Sequence, residues 1–437
     1  MNPKKSGEYW PLTFAEPEEV GFSSERLARI GPGLQKFIDK QKVPHLVTLV
    51  ARHGKIVHFE ARGYMDLDSK EPVQKDTIFR LWSNTKPITG VATMICLEDG
   101  LLTLDDPVSK YNPTFKNPVV KVMEPLERPM RRREEGRGGP MMMLPTVPAD
   151  REITIRDCLR NTTGLATARR TPIQYLTEYR EVISEAGLLA GPENQRGSIR
   201  KQVEALGKLP LDYHPGTRFE YHIGYPIIGV ILEMVTGKTL EQFYQERIFR
   251  PLGMKDTSFY LSKSKLNRFP VCYRPVQTGG EWKLGVAERP ETSDKVIGPK
   301  DYFEAGGGAG GVLSTISDYA RFAQMLLNGG ELDGVRILGR KTVELMTSSH
   351  TGDNIQIEPV GPGFGFGMGV GVYKGGVPPI MRSAGSYGWG GAAGTNYFAD
   401  PKEDLICACF TQVFMGMMMP DNNYSEEFER LVYQSLI

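Results

Sequence analysis

Residues 83–87, Ser83-Asn84-Thr85-Lys86-Pro87, open an apolar segment that continues to Glu98. Apolar side chains recur in this segment at helical spacing, and Pro87 places the helix start close to Ser83 because proline is tolerated only in a first turn. Positions three apart share one helix face, so the Lys86 ammonium can approach the Ser83 hydroxyl. A helix start also offers free backbone N–H groups. The segment therefore supplies a nucleophile, a base and oxyanion donors, which acyl transfer requires.

Two later segments combine turn residues with side chains of catalytic type. Residues 215–221, Pro-Gly-Thr-Arg-Phe-Glu-Tyr, bring Tyr221 to the start of an apolar helix. Residues 386–394 contain Trp389-Gly390-Gly391-Ala392 and lead into a strand, where glycine permits close approach of the backbone to a ligand. Each signal is weak by itself. Ser-x-x-Lys also fits an N-capping serine with a solvated lysine, and Tyr221 also fits a core aromatic residue.

The hydrophobic pattern predicts an α/β fold of the α+β type. Strands are predicted at 46–53, 56–64, 365–373, 394–399 and 405–412, and helices at 24–41, 83–98, 153–160, 173–187, 227–247, 317–327 and 425–436. The first helix is expected to kink or break at Gly31-Pro32-Gly33. Because strands lie near both ends of the chain, we expect one antiparallel sheet flanked by helices.

The middle of the chain has a helical pattern. We therefore expect residues 1–100 and 261–437 to form one discontinuous sheet domain, and residues 101–260 to form a mostly helical inserted domain. Between 124 and 151 a charge run with Gly and Pro interrupts the pattern, which predicts a solvated loop. A lid over a pocket is the alternative, because long loops in compact domains are often functional.

Composition excludes several classes of protein. The 437 residues include 53 Lys+Arg and 52 Asp+Glu, a balance that argues against a nucleic-acid or anionic-membrane partner. The chain has no apolar run of membrane-spanning length and no apolar stretch behind its basic amino end, so we expect a soluble, cytoplasmic protein. The five cysteines include Cys96 and Cys407 in apolar runs, which predicts buried thiols and no disulfide framework.

Four other sequence features bear on metal, cofactor or substrate binding. The six histidines form no His-x-x-x-His or His-x-His pair, so we expect no metal site, and no organic cofactor is implied. Residues 363–369 imitate a dinucleotide fingerprint but lack its strand, helix and acidic residue, which predicts a Gly-rich strand. His222 fits a structural histidine or one that tunes the site. The methionines at 415 and 417–419 fit core filling or an adaptable acyl pocket.

In this order, the three motif segments resemble the serine β-lactamase and penicillin-binding superfamily, and within it the family VIII carboxylesterases. The resemblance spans nearly the whole chain and implies a β-lactamase-like fold. Supporting segments are residues 76–80, 153–165, 251–254 and 310–322.

The resemblance implies a role for each motif residue. Ser83 is the expected nucleophile, and Lys86 with Tyr221 is the expected pair that takes its proton, with Tyr225 ranked second to Tyr221. The backbone N–H groups of Ser83 and Ala392 form the expected oxyanion hole. The expected substrate-binding residues are Trp389, Gly390, Gly391 and Ile223.

Two positions depart from the β-lactamase pattern. Ile223 stands where the Tyr-x-Asn motif has Asn, and Trp389 stands where Lys-Thr-Gly has Lys. Both changes remove polar groups, which favours neutral esters over anionic lactams. A free lysine, with a pKa of about 10.4, is a poor base at neutral pH. Burial or a second cation would lower the pKa of Lys86, and the lysine charge would favour a Tyr221 phenolate, so the two are expected to titrate as a unit.

We therefore expect a serine hydrolase that cleaves carboxylic esters of short- to medium-chain acids through a covalent acyl-Ser83 intermediate. The alternatives are an acyltransferase with the same acyl-enzyme, a β-lactamase or D-peptidase, and an inactive penicillin-recognising binding module. Retention of Ser83, Lys86 and Tyr221 argues against the last. The expected partner is a small-molecule ester, and a homo-oligomer is left open.

Overall fold

The structure is a computed structural model that describes residues 13–122, 145–165, 199–221, 223–293, 308, 310–353, 355, 357, 360–377 and 380–437. Its strands are β1 Thr13–Phe14, β2 His45–Arg52, β3 Lys55–Asp66, β4 Glu71–Pro72, β5 Phe79–Arg80, β6 Val119–Lys121, β7 Thr146–Pro148, β8 Cys272–Thr278, β9 Glu281–Glu288, β10 Leu313–Ser314, β11 Glu331–Leu332, β12 Val335–Arg336, β13 Phe364–Phe366, β14 Gly371–Tyr373, β15 Tyr387–Gly390, β16 Thr395–Asp400 and β17 Leu405–Phe410.

The α-helices are α1 Ser24–Leu27, α2 Ile30–Asp39, α3 Thr85–Glu98, α4 Ile155–Leu159, α5 Ile199–Gly207, α6 Gly224–Thr236, α7 Leu240–Tyr244, α8 Ile316–Leu327, α9 Arg340–Thr347 and α10 Tyr424–Tyr433. A π-helical turn, Gln245–Phe249, continues α7. The 3₁₀ turns are Pro17–Val20, Trp82–Asn84, Val108–Lys110, Pro113–Phe115, Lys263–Arg268, Pro290–Thr292 and Gly416–Met418.

Nine of the described strands form one sheet in the order β1-β3-β2-β17-β16-β15-β14-β13, with β4 also paired to β3. Every pair is antiparallel except β1 with β3, so the predicted antiparallel sheet is confirmed apart from one short edge strand. The central hairpin β2–β3 turns through His53 and Gly54, at φ 53° and 70°. Positive φ at both positions is the geometry that matches the twist of the two strands.

Side chains on the two faces of the central strands enter two different cores. On β2, Val47, Leu49 and Ala51 face the main core, which also includes residues of α3, α6 and α8. Leu46 and Val50 face a second core, formed with α2 and α10. This alternation is what an antiparallel strand buried on both faces requires. The sheet is therefore flanked by helices, and this β-lactamase-like arrangement confirms the predicted fold class.

Helix α3 has its first twelve residues buried, and its backbone lies directly against the loop between β13 and β14. A Cβ at Gly90 would collide with the Met368 carbonyl oxygen, and a Cβ at Gly369 would lie 2.6 Å from the Lys86 carbonyl oxygen. Gly369 also has φ +104°, a conformation that favours glycine. The glycines therefore allow two backbones to touch.

The prediction of one strand over 365–373 was wrong. The segment forms β13, a turn at residues 367–370, and β14, which pairs antiparallel with β13. The glycine-rich run 363–369, which resembles a nucleotide-binding motif, contains β13 and most of the hairpin turn, and this turn packs on α3. The predicted helix 24–41 also breaks at a different place. The break was expected at Gly31-Pro32-Gly33, but α1 ends at Leu27 and α2 begins at Ile30. Pro32 is then in the first turn of α2, where its missing N–H costs nothing.

Most of the predicted helices match observed helices, and two of the other predicted segments differ or lie outside the described residues. The predicted helices near 83–98, 153–160, 317–327 and 425–436 are confirmed as α3, α4, α8 and α10. The predicted helix 227–247 is α6 and α7, separated at Gly237, which has φ 66°. Part of the predicted loop 124–151 forms β7, and residues 123–144 lie outside the described residues, as does the predicted helix 173–187.

Three further observations concern the chain as a whole. All five cysteines are buried free thiols, which confirms the prediction for Cys96 and Cys407. None of the helices formed by the described residues has the length and apolar character needed to cross a bilayer. The described strands of the main sheet come from residues 13–72 and 364–410, and the division into domains at 100 and 260 stays a prediction.

We predict that Gly369→Ala destabilises the protein more than Gly376→Ala. Both glycines have positive φ, but a Cβ at Gly376 has nothing within 4 Å. Backbone strain alone costs about 1 kcal/mol at either position. Contact with the Lys86 carbonyl adds about 1–3 kcal/mol at Gly369, typical of overpacking. Urea unfolding of both variants measures the difference, and equal losses would contradict the close approach to α3.

Candidate active site

Ser83 lies in the 3₁₀ turn that leads into α3. The residue before it, Trp82, has φ 49°, a strained value for a bulky side chain. Neighbouring groups hold this turn. The Asn84 side chain donates to the Thr395 carbonyl at 2.7 Å, and the Tyr319 hydroxyl donates to the Asn84 carbonyl at 2.9 Å. The serine is thus fixed between the start of a helix and the sheet.

Lys86 lies one turn after Ser83, as predicted, with its Nζ 3.1 Å from Ser83 Oγ. The side chain is fully buried. Burial lowers the pKa of Lys86 well below its usual range, because the charged ammonium loses its hydration. The Nζ atom also lies 4.6 Å from the centroid of the Tyr221 ring and 5.2 Å from that of Tyr225. The two rings offer cation–π contacts that favour the ammonium, whereas burial favours the neutral amine, which is the form that can accept a proton.

Tyr221 completes the cluster. Its hydroxyl shares a hydrogen bond with the Ser83 hydroxyl and accepts one from Trp389 Nε1 at 2.7 Å. Burial raises the pKa of Tyr221 to about 12, although both hydrogen bonds act in the opposite direction. The expectation that the Lys86 charge favours a phenolate stays a prediction, and burial acts against it because burial disfavours the charged form of both groups.

Tyr225, the competing tyrosine, has a structural hydrogen bond. Its hydroxyl donates to the Leu159 carbonyl at 2.7 Å, and the side chain is fully buried. This hydrogen bond links α6, which carries Tyr225, to the end of α4 at Leu159. This geometry explains why two tyrosines four residues apart on the chain have different surroundings, and it leaves Tyr221 as the tyrosine whose hydroxyl contacts Ser83.

An aromatic cluster surrounds the Tyr221 ring. The Trp389 ring centroid lies 5.5 Å from that of Tyr221, and the Phe366 ring meets Trp389 edge-on at 4.8 Å. Phe219 stacks on Tyr221 at 6.2 Å and contacts Phe366 at 5.4 Å. Sequence reasoning missed Phe219 and Phe366. Phe219 lies within the motif segment 215–221 and Phe366 within the glycine-rich run 363–369, but nothing in the sequence showed that these two segments meet.

The Trp389-Gly390-Gly391-Ala392 segment lies beside the serine, as expected. Trp389 and Gly390 end β15 and pair with β16. A Cβ at Gly391 would collide with the Leu81 carbonyl oxygen, so glycine is needed where this strand meets the Ser83 turn. Ala392 follows in the next turn, and its carbonyl accepts from the Met415 N–H at 2.7 Å. The segment thus brings Gly391 against Leu81, two residues before Ser83.

Ile223 occupies the cap position of α6, and its half-buried side chain packs against the main core. It offers no polar atom at the position of the expected Asn. His222 lies outside the described residues. Within the described ranges, no group of three or more His, Cys, Asp or Glu side chains is arranged to hold a metal ion.

A buried charge network supports the segment before Tyr221. The fully buried Asp157 accepts from Arg151, from Arg160 at 2.9 Å, and from the Thr162 hydroxyl at 3.1 Å. The adjoining backbone pairs with the Tyr221 segment, because the Glu220 N–H donates to the Asn161 carbonyl at 2.7 Å. Burial raises the pKa of Asp157, but hydrogen bonds from Arg151 and Thr154 and the charge of Arg151 outweigh it, so the pKa is lowered. The sequence predicted a helix at 153–160 but gave no sign of this buried charge network.

Fold and site together define a serine hydrolase, since a serine in hydrogen-bonding contact with a buried lysine and a tyrosine is held at a helix start beside a glycine-rich strand end. The family model described as Beta-lactamase matches residues 33–428, and the chain belongs to that family.

Known proteins resemble the chain along most of its length. Protein Rv1367c of Mycobacterium tuberculosis is 32% identical over 374 residues, covering 82% of this chain and 83% of that protein. The lovastatin esterase of Penicillium rubens is 30% identical over 396 residues, covering 85% and 89%. The structure of EstCE1, described as a hydrolase with promiscuous acyltransferase activity, superposes with a TM-score of 0.72 at 26% identity, covering 94% and 99%.

We predict that Trp389→Phe slows covalent labelling of Ser83 by a fluorophosphonate. The phenylalanine keeps an aromatic ring but cannot donate to the Tyr221 hydroxyl. Loss of one hydrogen bond corresponds to a roughly three- to tenfold slower reaction. Intact-protein mass spectrometry over time gives the rate. Trp282→Phe, at a partly exposed tryptophan of β9, is the matched control, and equal rates for the two variants would contradict a role for the indole N–H.

Proposed function

We propose that the protein is a carboxylesterase that forms an acyl-enzyme on Ser83. The observation that supports this most directly is the contact of Lys86 Nζ with Ser83 Oγ at 3.1 Å inside a fully buried environment. A buried neutral amine beside a hydroxyl can take its proton at neutral pH, which a solvated lysine cannot do. The names of two similar proteins, a lovastatin esterase and a family VIII carboxylesterase of the same fold, agree with this activity.

In the proposed mechanism, Lys86 accepts the Ser83 proton while Ser83 Oγ attacks the ester carbonyl. The backbone N–H groups of Ser83 and Ala392 stabilise the resulting oxyanion. Tyr221, held by the Trp389 N–H, passes a proton to the departing alcohol. Water then attacks the acyl-Ser83 ester and gives a proton to the Tyr221 phenolate, while protonated Lys86 returns its proton to Ser83 Oγ as the acid leaves, which restores all three residues. Because Tyr221 is protonated at rest, it serves as the acid of the first step and Lys86 as the base.

The same residues suggest which substrates are favoured. The Trp389 indole replaces a cation that would pair with the carboxylate of a β-lactam, and its one N–H is already bonded to Tyr221. Ile223 replaces an amide side chain. With Phe219 and Phe366 behind Tyr221, the surroundings are apolar and aromatic. Neutral esters of short- to medium-chain acids fit these surroundings better than anions do.

Acyl transfer is the second candidate. It uses the same acyl-Ser83 intermediate, with an alcohol or amine in place of water, and the EstCE1 name describes such a side activity. Adding a primary alcohol to an ester reaction and identifying the products separates the two functions. A new ester indicates transfer, and free acid alone indicates hydrolysis.

Two measurements test the proposal. Release of nitrophenol from an activated ester, such as a nitrophenyl butyrate, measures turnover, which we expect. Mass spectrometry of the intact protein after treatment with a fluorophosphonate should show a covalent adduct on Ser83. Ser83→Ala should lose both while retaining the fold, because the serine is only half-buried. Ser69→Ala, at an exposed serine, is the matched control. Full turnover by Ser83→Ala would show that another nucleophile is used.

We predict a pH profile that depends on Lys86. Because burial lowers the pKa of Lys86, kcat/KM should be high above that lowered pKa and fall as the pH drops through it. The acid limb should lie well below the usual range of lysine. Lys86→Arg keeps a charge that cannot be lost, so it should remove the limb and reduce activity by about 10²–10⁴-fold. A limb unchanged in Lys86→Arg would assign the base elsewhere.

We also predict that an activated ester is a better substrate than a chromogenic cephalosporin. Each lost charge-assisted or amide contact costs about tenfold to hundredfold. The absence of both the lysine and the asparagine should therefore separate the two kcat/KM values by about two to four powers of ten. Steady-state kinetics on both substrates measures the ratio. Comparable values would favour the β-lactamase alternative over the esterase.

A further inference from the structure

The segment from Val413 to Met419 contains no polar side chain, yet part of it is exposed. Its sequence is Val-Phe-Met-Gly-Met-Met-Met, and it connects β17 to the region before α10. We refer to Phe414–Met418 as the methionine turn. Apolar side chains grouped at a protein surface commonly border a binding site.

The methionine turn is attached directly to the active site. The Met415 N–H donates to the Ala392 carbonyl at 2.7 Å, and the Val413 N–H donates to the Ala393 carbonyl at 2.9 Å. The Phe414 ring lies 4.8 Å from that of Trp82, the residue before the nucleophile. The turn therefore contacts both residues that adjoin the reacting groups, Ala392 on one side and Trp82 on the other.

Core filling does not account for these methionines. Met419 is 3% exposed and does fill the core, whereas Met417 and Met418 are 68% and 56% exposed. The backbone beneath them is well held, since Met418 N–H donates to the Met415 carbonyl at 2.9 Å and the Asn422 amide donates to the Gly416 carbonyl at 3.0 Å. Flexible, polarisable side chains on a fixed backbone can adapt to hydrocarbon groups of different shape.

We propose that the methionine turn binds the hydrocarbon chain of the ester substrate and sets the preference for chain length. This inference rests on the proposed esterase function and deepens it. The occupant is the unbranched or branched alkyl group of the acid, which is attached to the ester carbonyl. The exposed methionines Met417 and Met418 cover the far end of a longer chain, and Phe414 and Met415 border its near end beside Trp82.

The test uses the double variant Met417→Gln, Met418→Gln in the full-length protein. Glutamine has nearly the length of methionine, and both positions are exposed, so folding should be retained. We expect the ratio of kcat/KM for a nitrophenyl octanoate to that for the acetate to fall about tenfold, because one or two methylenes lose an apolar contact. Met234→Gln, at a 46% exposed methionine of α6, is the control and should leave the ratio unchanged.

Two substrate series identify which part of the ester occupies the turn. One series varies the acid with a constant nitrophenol, and the other varies the alcohol of an acetate ester. A reduced chain-length preference in the acid series supports the inference, and one confined to the alcohol series would overturn it. Unchanged preferences in both series, with normal turnover of acetate esters, would overturn this inference and leave the esterase function standing. Absence of turnover and of a Ser83 adduct in the native protein would overturn both.

Discussion

The burial of Lys86 is the constraint on which the candidate active site depends. An amine taken out of water loses the hydration that stabilises its charge, so burial lowers the pKa of Lys86 well below its usual range. The same burial raises the pKa of Tyr221 to about 12. One physical cause therefore shifts both pKa values toward the neutral forms that our proposal assigns to the base and the acid. Any change that admitted water to the start of α3 would reverse both effects.

This burial is achieved by backbones that lie in direct contact. Gly369 lies on the Lys86 carbonyl, Gly90 on the Met368 carbonyl, and Gly391 on the Leu81 carbonyl. A side chain at any of these glycines would separate α3 from the sheet or from the β13–β14 loop. These three glycines thus contribute to the close packing around the buried Lys86 side chain.

The Trp389 position illustrates how one fold can support different chemistry. A lysine there would give the site a positive charge for an anionic substrate. The indole instead donates its N–H to the Tyr221 hydroxyl and packs against Phe366, so it supports the tyrosine through a neutral hydrogen bond. In our proposal this exchange keeps the proton transfer and removes the attraction for anions. The apolar methionine turn on the other side of Ala392 is consistent with the same preference for uncharged esters.

Local patterns were sufficient to predict much of this protein. Helical spacing after Ser83 indicated α3, β-rich runs at 46–53 and 56–64 indicated β2 and β3, and the three motif segments indicated the family. These features depend on neighbours along the chain, where propensity and periodicity act directly. Other features depended on contacts between residues hundreds of positions apart. Four features follow from which surfaces pack against each other in the folded chain. They are the pKa directions of Lys86 and Tyr221, the hydrogen bond from Trp389, the aromatic cluster with Phe219 and Phe366, and the division of 365–373 into two strands. Desolvation and close packing are properties of the assembled core, so only the tertiary structure could decide them.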